Sequence, residues 1–288
     1  MHSLLPTRAG CPVSGCHGTI TWDSSRCSIC LASVAPPNVR WAEAERHVLD
    51  QRYFDAVQRL KANGAEATGA AFEAAARGAR AIFSTNLSYA LNLFDERRRH
   101  RNYHEDVEGG GRTAAEPHDD AMRLTVDAQV FGTIGRRITM AALTLISTGL
   151  PSYGAVSMEF HPSICEARAS LLSENSFDFV RRNPGGPDAL PAGHRSTWAD
   201  RGRLALVKSA DELKVDTAPA EFPHILMRPG SSRKTDRFME VHLYESWGID
   251  AVVAMRVRKD AVTNRFEQAQ AAELGDRLRT RGILWEMV

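Results

Sequence analysis

Three observations predict an α+β fold with an antiparallel or mixed sheet, preceded by a small metal-stapled module. Four cysteines, Cys11, Cys16, Cys27 and Cys30, crowd together as C-x4-C-x10-C-x2-C. Amphipathic segments follow them, and the C-terminal half then breaks into short β-prone runs divided by Pro- and Gly-rich loops. Those runs do not alternate regularly with helices, which argues against a doubly wound parallel sheet. At 288 residues the chain has room for one sizeable core plus an appended module.

The cysteines predict a zinc ribbon over 1–36. Zn²⁺ takes four soft ligands in a tetrahedron, and two short cysteine pairs joined by a loop supply them without a hydrophobic core. Gly10, Gly15 and Gly18 allow the tight turns of the knuckles, and Thr19–Trp22 is β-prone enough to be one arm of a hairpin. The first pair is wider than the usual C-x2-C, and His17 is an alternative ligand to Cys16. Two disulfides or four unpaired thiols are the non-metal alternatives. The opening MHSLLPTRAG has neither a basic start nor an apolar run of about 7–15 residues, so no secretory signal is expected and a reducing, cytoplasmic setting favours metal. Cys165, the fifth, reads as a buried structural thiol.

After the break at Pro36-Pro37, a helical segment is expected over 37–94. Trp41, Ala44, Val48, Leu49, Tyr53, Val57 and Leu60 recur at helical spacing as far as Asn63-Gly64, and alanine-rich Glu66 to Arg80 continues as helix. Ile82–Leu87 reads as a strand, with a helix through Leu93 as the alternative. Helical spacing returns over Val130–Leu145. Strands are expected at Tyr153–Phe160, Leu204–Val207, Phe238–Tyr244 and Ala251–Val257, then a helix over Ala261–Arg281 and a terminal strand over Gly282–Val288.

Charge excludes some classes. With 36 Lys plus Arg against 35 Asp plus Glu, no global field attracts nucleic acid or an anionic membrane. The longest apolar run, Met140–Ile146, is too short to span a bilayer. P-loop, Rossmann, HExxH and GxSxG motifs are all missing, which argues against the enzyme classes built on them.

Three segments combine polar density with strand-like runs. Arg101-Asn102-Tyr103-His104-Glu105 leads into Gly109-Gly110-Gly111-Arg112, where exposed backbone N–H groups and an arginine fit an anion, or else form a solvated loop. Tyr153-Gly154 starts a strand, with Ser170, Glu174 and Ser176 beyond it. In FMEVHLYES, period two puts Glu240, His242 and Tyr244 on one strand face and Val241 and Leu243 on the other. That polar row is either a solvated edge or the wall of a cleft.

In this order the segments resemble the ADP-ribosyltransferase superfold, in particular an uncharacterised bacterial family assigned to it. The resemblance rests on YHEDVEGGGRTA from Tyr103, on Tyr153–Val156, on FMEVHLYES and on the closing GILW, and spans about 95–288. It implies a split β-sandwich with NAD⁺ as substrate in the cleft, and an ADP-ribose acceptor that is protein or nucleic acid, as in a toxin or effector. It assigns Arg101 or His104 to the first core strand, Tyr153 or Ser170 to a middle strand and Glu240 to a later one. Catalysis then falls to Glu240, Tyr153 and His242, and NAD⁺ binding to Arg101, Tyr103, His104, Gly110, Arg112 and Ser170. The usual E-x-E or Q-x-E acidic signature is absent, His242 standing second after Glu240. The competing reading is a non-enzymatic zinc-ribbon protein that binds nucleic acid through Arg97, Arg98, Arg99 and Arg101, or regulates. A third, a metal hydrolase using His100, His104, Asp119 and Asp120, lacks a recognisable ligand spacing.

Overall fold

The computed structural model describes residues 8–94, 99–108, 117–185, 190–233 and 235–288. The N-terminal module is a short hairpin of β1 (Arg8–Gly10) and β2 (Thr19–Thr21), paired Arg8 to Thr21. Three helices follow: α1 (Pro37–Ala44), α2 (Arg46–Ala62) and α3 (Glu66–Arg77). The single long helix expected from Trp41 is thus two helices, parted at Glu45. The reason is tertiary: Glu45 is buried, and its carboxylate accepts from Arg195 Nη1 at 2.8 Å and from the Gly193 N–H at 3.0 Å. Asn63-Gly64 ends α2 as expected, Gly64 taking φ +70°.

The rest of the described residues form one mixed sheet flanked by helices. Its strands are β3 (Arg80–Thr85), β4 (Ile138–Thr144), β5 (Val156–Phe160), β6 (Ala169–Leu172), β7 (Arg195–Thr197), β8 (Glu240–Tyr244), β9 (Val252–Val257) and β10 (Leu284–Met287). They lie in the order β10-β9-β5-β3-β4-β8-β6-β7, antiparallel throughout except for β9 and β10. The expected α+β class with a mixed sheet holds. The two sheets of a split sandwich are not seen among the described residues, because β3 pairs with both β4 and β5 and leaves the ladder unbroken. β3 also brings the segment before residue 95 into the middle of the sheet.

Two expectations failed for one reason. Val130–Leu145 is not a helix: α6 (Pro117–Phe131) ends near Gly132, a 3₁₀ turn runs to Arg137, and β4 follows. Leu204–Val207 is not a strand but the middle of α9 (Arg201–Ser209). The apolar parts of both runs, Ile138–Thr144 and Leu204–Val207, are almost wholly buried, and a buried apolar run carries no period to separate helix from strand. The short β6 went unforeseen, as did α7 (Pro162–Arg168) and α8 (Ser176–Arg182) on either side of it. The expected terminal helix is α11 (Arg265–Thr280), opened by a capping box in which Asn264 accepts from the Glu267 N–H and Glu267 from the Asn264 N–H.

The sheet's two faces differ. Val241 and Leu243, with Leu143, Met158, Met255 and Leu171, face a large apolar core built with α2, α3, α9 and α11. Phe72 of α3 is fully buried there, edge-on to Phe222 at 5.3 Å, so Phe72→Ala would cost about 3–5 kcal/mol. The opposite face carries Glu240, His242 and Tyr244. A smaller cluster of Val126, Val130, Phe131, Ile134 and Phe179 covers part of it.

Candidate metal centre and active site

The candidate metal centre lies at the four N-terminal cysteines. One sulfur atom from each of Cys11, Cys16, Cys27 and Cys30 lies within 4.8 Å of every other. Cys11 to Cys30 is 3.6 Å and Cys16 to Cys27 is 3.7 Å. A tetrahedral Zn²⁺ with Zn–S bonds of about 2.3 Å separates its sulfurs by roughly 3.8 Å, so these distances are those of a ligand cage. They are far too long for S–S bonds of about 2.05 Å. Backbone N–H groups of Val13, Gly18 and Ile29 each donate to a cysteine sulfur two residues earlier, at 3.4 Å, which favours thiolates. The N–H groups of Ile29 and Cys30 pull the Cys27 thiol down to about 6. Cys11, although the Val13 N–H lowers it, is pushed up to about 12 by burial and the neighbouring thiols. Four crowded sulfurs competing for protons are the donor set that a divalent soft cation satisfies. Gly18 is required here, since a Cβ would stand 2.3 Å from Cys27 Sγ. His17 is exposed and outside the cage. Cys165 is buried in the main core, its thiol pushed up to about 12 by burial.

The second site is the polar face of β8. His242 Nε2 lies 3.0 Å from Glu240 Oε2, and the Ser176 hydroxyl donates to Glu240 Oε1 at 3.2 Å. Both side chains are buried, 4% exposed for Glu240 and 1% for His242. Burial lowers the His242 pKa, and the Glu240 hydrogen bond and charge oppose it. Phe131 packs edge-on against the His242 ring at 4.5 Å. Asn38, from the first turn of α1, donates to the His242 carbonyl at 2.9 Å, to the Ser170 hydroxyl at 3.1 Å and to the Arg168 carbonyl at 3.1 Å. Ser170 and His242 are direct cross-strand partners, as are His242 and Met140.

Several residues chosen from distant stretches meet around this pair. His104 Nε2 is 2.8 Å from Asp127 Oδ2, and the Asp127 charge reaches His242. Arg123 pairs with Asp127 at 3.2 Å, contacts Met140 Sδ, and spreads its guanidinium over Phe177, next to Ser176. The Tyr153 hydroxyl is pushed up to about 12 by burial and then by the nearby Glu240 charge. Arg123, Asp127 and Ser176 complete the cluster. Arg123 and Asp127 sit four apart on α6, a spacing that signals a helical ion pair but not its place against β8.

Other expected positions differ. His104 lies on the short α5 (Tyr103–Glu108), not on a core strand, and Arg101 is exposed just before it. Tyr153 ends a 3₁₀ turn before β5, because Pro151 starts that turn and Gly154, at φ +142°, ends it. The Arg233 guanidinium lies over the Tyr153 ring at 4.9 Å. Gly110 and Arg112 lie outside the described residues, as do Arg97, Arg98 and the side chains of Tyr103, Asp119 and Asp120. His100 is engaged elsewhere: its Nδ1 shares a 2.5 Å hydrogen bond with the Tyr89 hydroxyl and its ring stacks on Trp247 at 4.7 Å. Among the described residues the four cysteines are the one group placed to hold a metal. No helix among them is long and apolar enough to cross a membrane. No family model matches the chain, and no curated protein matches it.

Proposed function

We propose that this is a zinc-binding protein whose α+β domain transfers ADP-ribose from NAD⁺. The metal half rests on the cysteine cage, whose spacing fits tetrahedral Zn²⁺ and leaves no open position for catalysis. The ribbon is therefore structural, and Zn²⁺ would be held by Cys11, Cys16, Cys27 and Cys30.

The transferase half rests on one observation, the convergence of Glu240, His242, Ser176, Arg123 and Tyr153 on one face of β8. In this reading the glycosidic C–N bond of NAD⁺ breaks with its electron pair leaving on nicotinamide. The ribose carbon then carries positive charge until the acceptor's lone pair bonds to it, and the acceptor's proton is released. A carboxylate at Glu240 favours that charge more than the ground state. His242 and Ser176 hold the carboxylate in one orientation, Arg123 offers a phosphate-side cation, and Tyr153 supplies a ring for nicotinamide.

A second reading is favoured by the burial of the pair: a satisfied polar core that fixes the register of β6, β8 and β4 without catalysis. Purified protein incubated with NAD⁺ separates the two. Nicotinamide release that Glu240→Gln abolishes without unfolding supports transfer. No release at any protein concentration, with Glu240→Gln altering thermal stability alone, refutes it.

A further inference from the structure

We infer that the metal ribbon is a clamp on the polar face of β8, so that metal occupancy governs how firmly β6 and β8 are held. The inference rests on the zinc reading above, but not on the transferase reading.

Three contacts carry it. Arg40 of α1 donates from Nη2 to three carbonyls of one ribbon turn, Thr21 at 3.1 Å, Trp22 at 2.9 Å and Ser24 at 2.6 Å, and from Nε to the Ala35 carbonyl at 3.0 Å. These receptors exist only while the ribbon loop keeps its turn. Asn38, two residues earlier in the same turn of helix, holds the His242 carbonyl and the Ser170 hydroxyl. The first turn of α1 is thus gripped by the ribbon on one side and grips the central strands on the other. The third contact is direct: the Tyr244 hydroxyl at the end of β8 donates to the Asp23 carbonyl at 3.4 Å. Trp22 also packs on the cluster that contains Tyr244 and Phe131, closely enough that a Cβ at Gly132 would be 3.0 Å from its ring.

The ribbon cannot keep this shape alone. Its hairpin has three residues per strand, and among the described residues of the ribbon Ile20 and Cys27 are the buried hydrophobic ones. A module this small takes its folding energy from the metal. Loss of metal releases the carbonyls that Arg40 holds and uncovers Trp22, and the slack passes through α1 to β6 and β8. β9 and β10 lie at the other end of the sheet.

Hydrogen–deuterium exchange of the full chain tests this, with zinc content measured before and after a chelator. Amides of Ala169–Leu172 and Glu240–Tyr244 should exchange at least tenfold faster after zinc removal, while those of Val252–Val257 and Leu284–Met287 keep their rates. Arg40→Gln, and independently Trp22→Ala, should produce the same local acceleration with zinc still bound. Unchanged β6 and β8 rates in the zinc-free chain overturn the clamp. Equal acceleration in every strand overturns it too, since the metal would then support the whole fold. A fresh preparation without zinc overturns the metal reading itself, a result recognisable from the metal analysis alone.

Discussion

Acidification should destabilise this protein steeply between pH 6.5 and 4, through histidines that the fold keeps neutral. Burial drives His100 down to about 3. Burial, then the charges of Arg52, Arg195 and Arg182, drives His194 to about 3. In the unfolded chain each ring takes a proton near pH 6.5. Acid therefore favours the unfolded chain: the stability is fully present above pH 6.5 and is lost as pH falls toward the folded values. At pH 5 each histidine costs about 2 kcal/mol, or about 4 kcal/mol for the two, a large part of a typical total of about 5–15 kcal/mol. His242, also lowered by burial, adds in the same direction. Urea unfolding at pH 7.5 and pH 5.0 measures the loss. His100→Phe, which keeps an aromatic ring against Trp247, should recover about 2 kcal/mol of the loss at pH 5.0. Comparing its slope with the parent's separates this effect from release of metal by acid. A stability at pH 5.0 within about 1 kcal/mol of that at pH 7.5 would refute the reasoning.

Freshly prepared reduced protein should carry one zinc per chain, and Cys27→Ser should abolish it; elemental analysis decides, and a metal-free parent sinks the ribbon. Glu240→Gln should lower nicotinamide release by at least about 10²-fold with NAD⁺ affinity nearly unchanged. Glu245→Gln is the control: Glu245 leaves the strand at φ +66° and pairs with Arg137 at 2.5 Å on the surface, so turnover should persist. Should Glu245→Gln abolish turnover while Glu240→Gln keeps it, the wrong carboxylate has been chosen. Glu45→Ala should cost about 3–5 kcal/mol by leaving the Arg195 guanidinium buried without its carboxylate, and a loss below 1 kcal/mol in chemical denaturation would contradict that.

The polar face of β8 shows how local pattern and tertiary structure divide the work. Alternation alone put Glu240, His242 and Tyr244 on one side of a strand, because successive side chains on a pleated backbone must point to opposite faces. Whether that side met water or protein was not in the pattern. It was decided by α6 and α8 lying over it, and by Ser176 and Asn38 reaching in from elements more than sixty residues away in sequence.

The sequence by itself determined the candidate metal ligands, the helix that ends at Asn63-Gly64, and the amphipathic strands. Each of those signals is local: cysteine spacing, an Asn-Gly pair, a period of two. Only the tertiary structure decided that Ile138–Thr144 is a strand and Leu204–Val207 a helix, because a segment buried on all sides shows no polar face to reveal its period. It also decided that one unbroken sheet replaces two, since pairing partners are chosen by long-range packing. The break at Glu45 belongs with these: residues 41–62 carry a continuous helical period, and what interrupts it is a buried arginine 150 residues away.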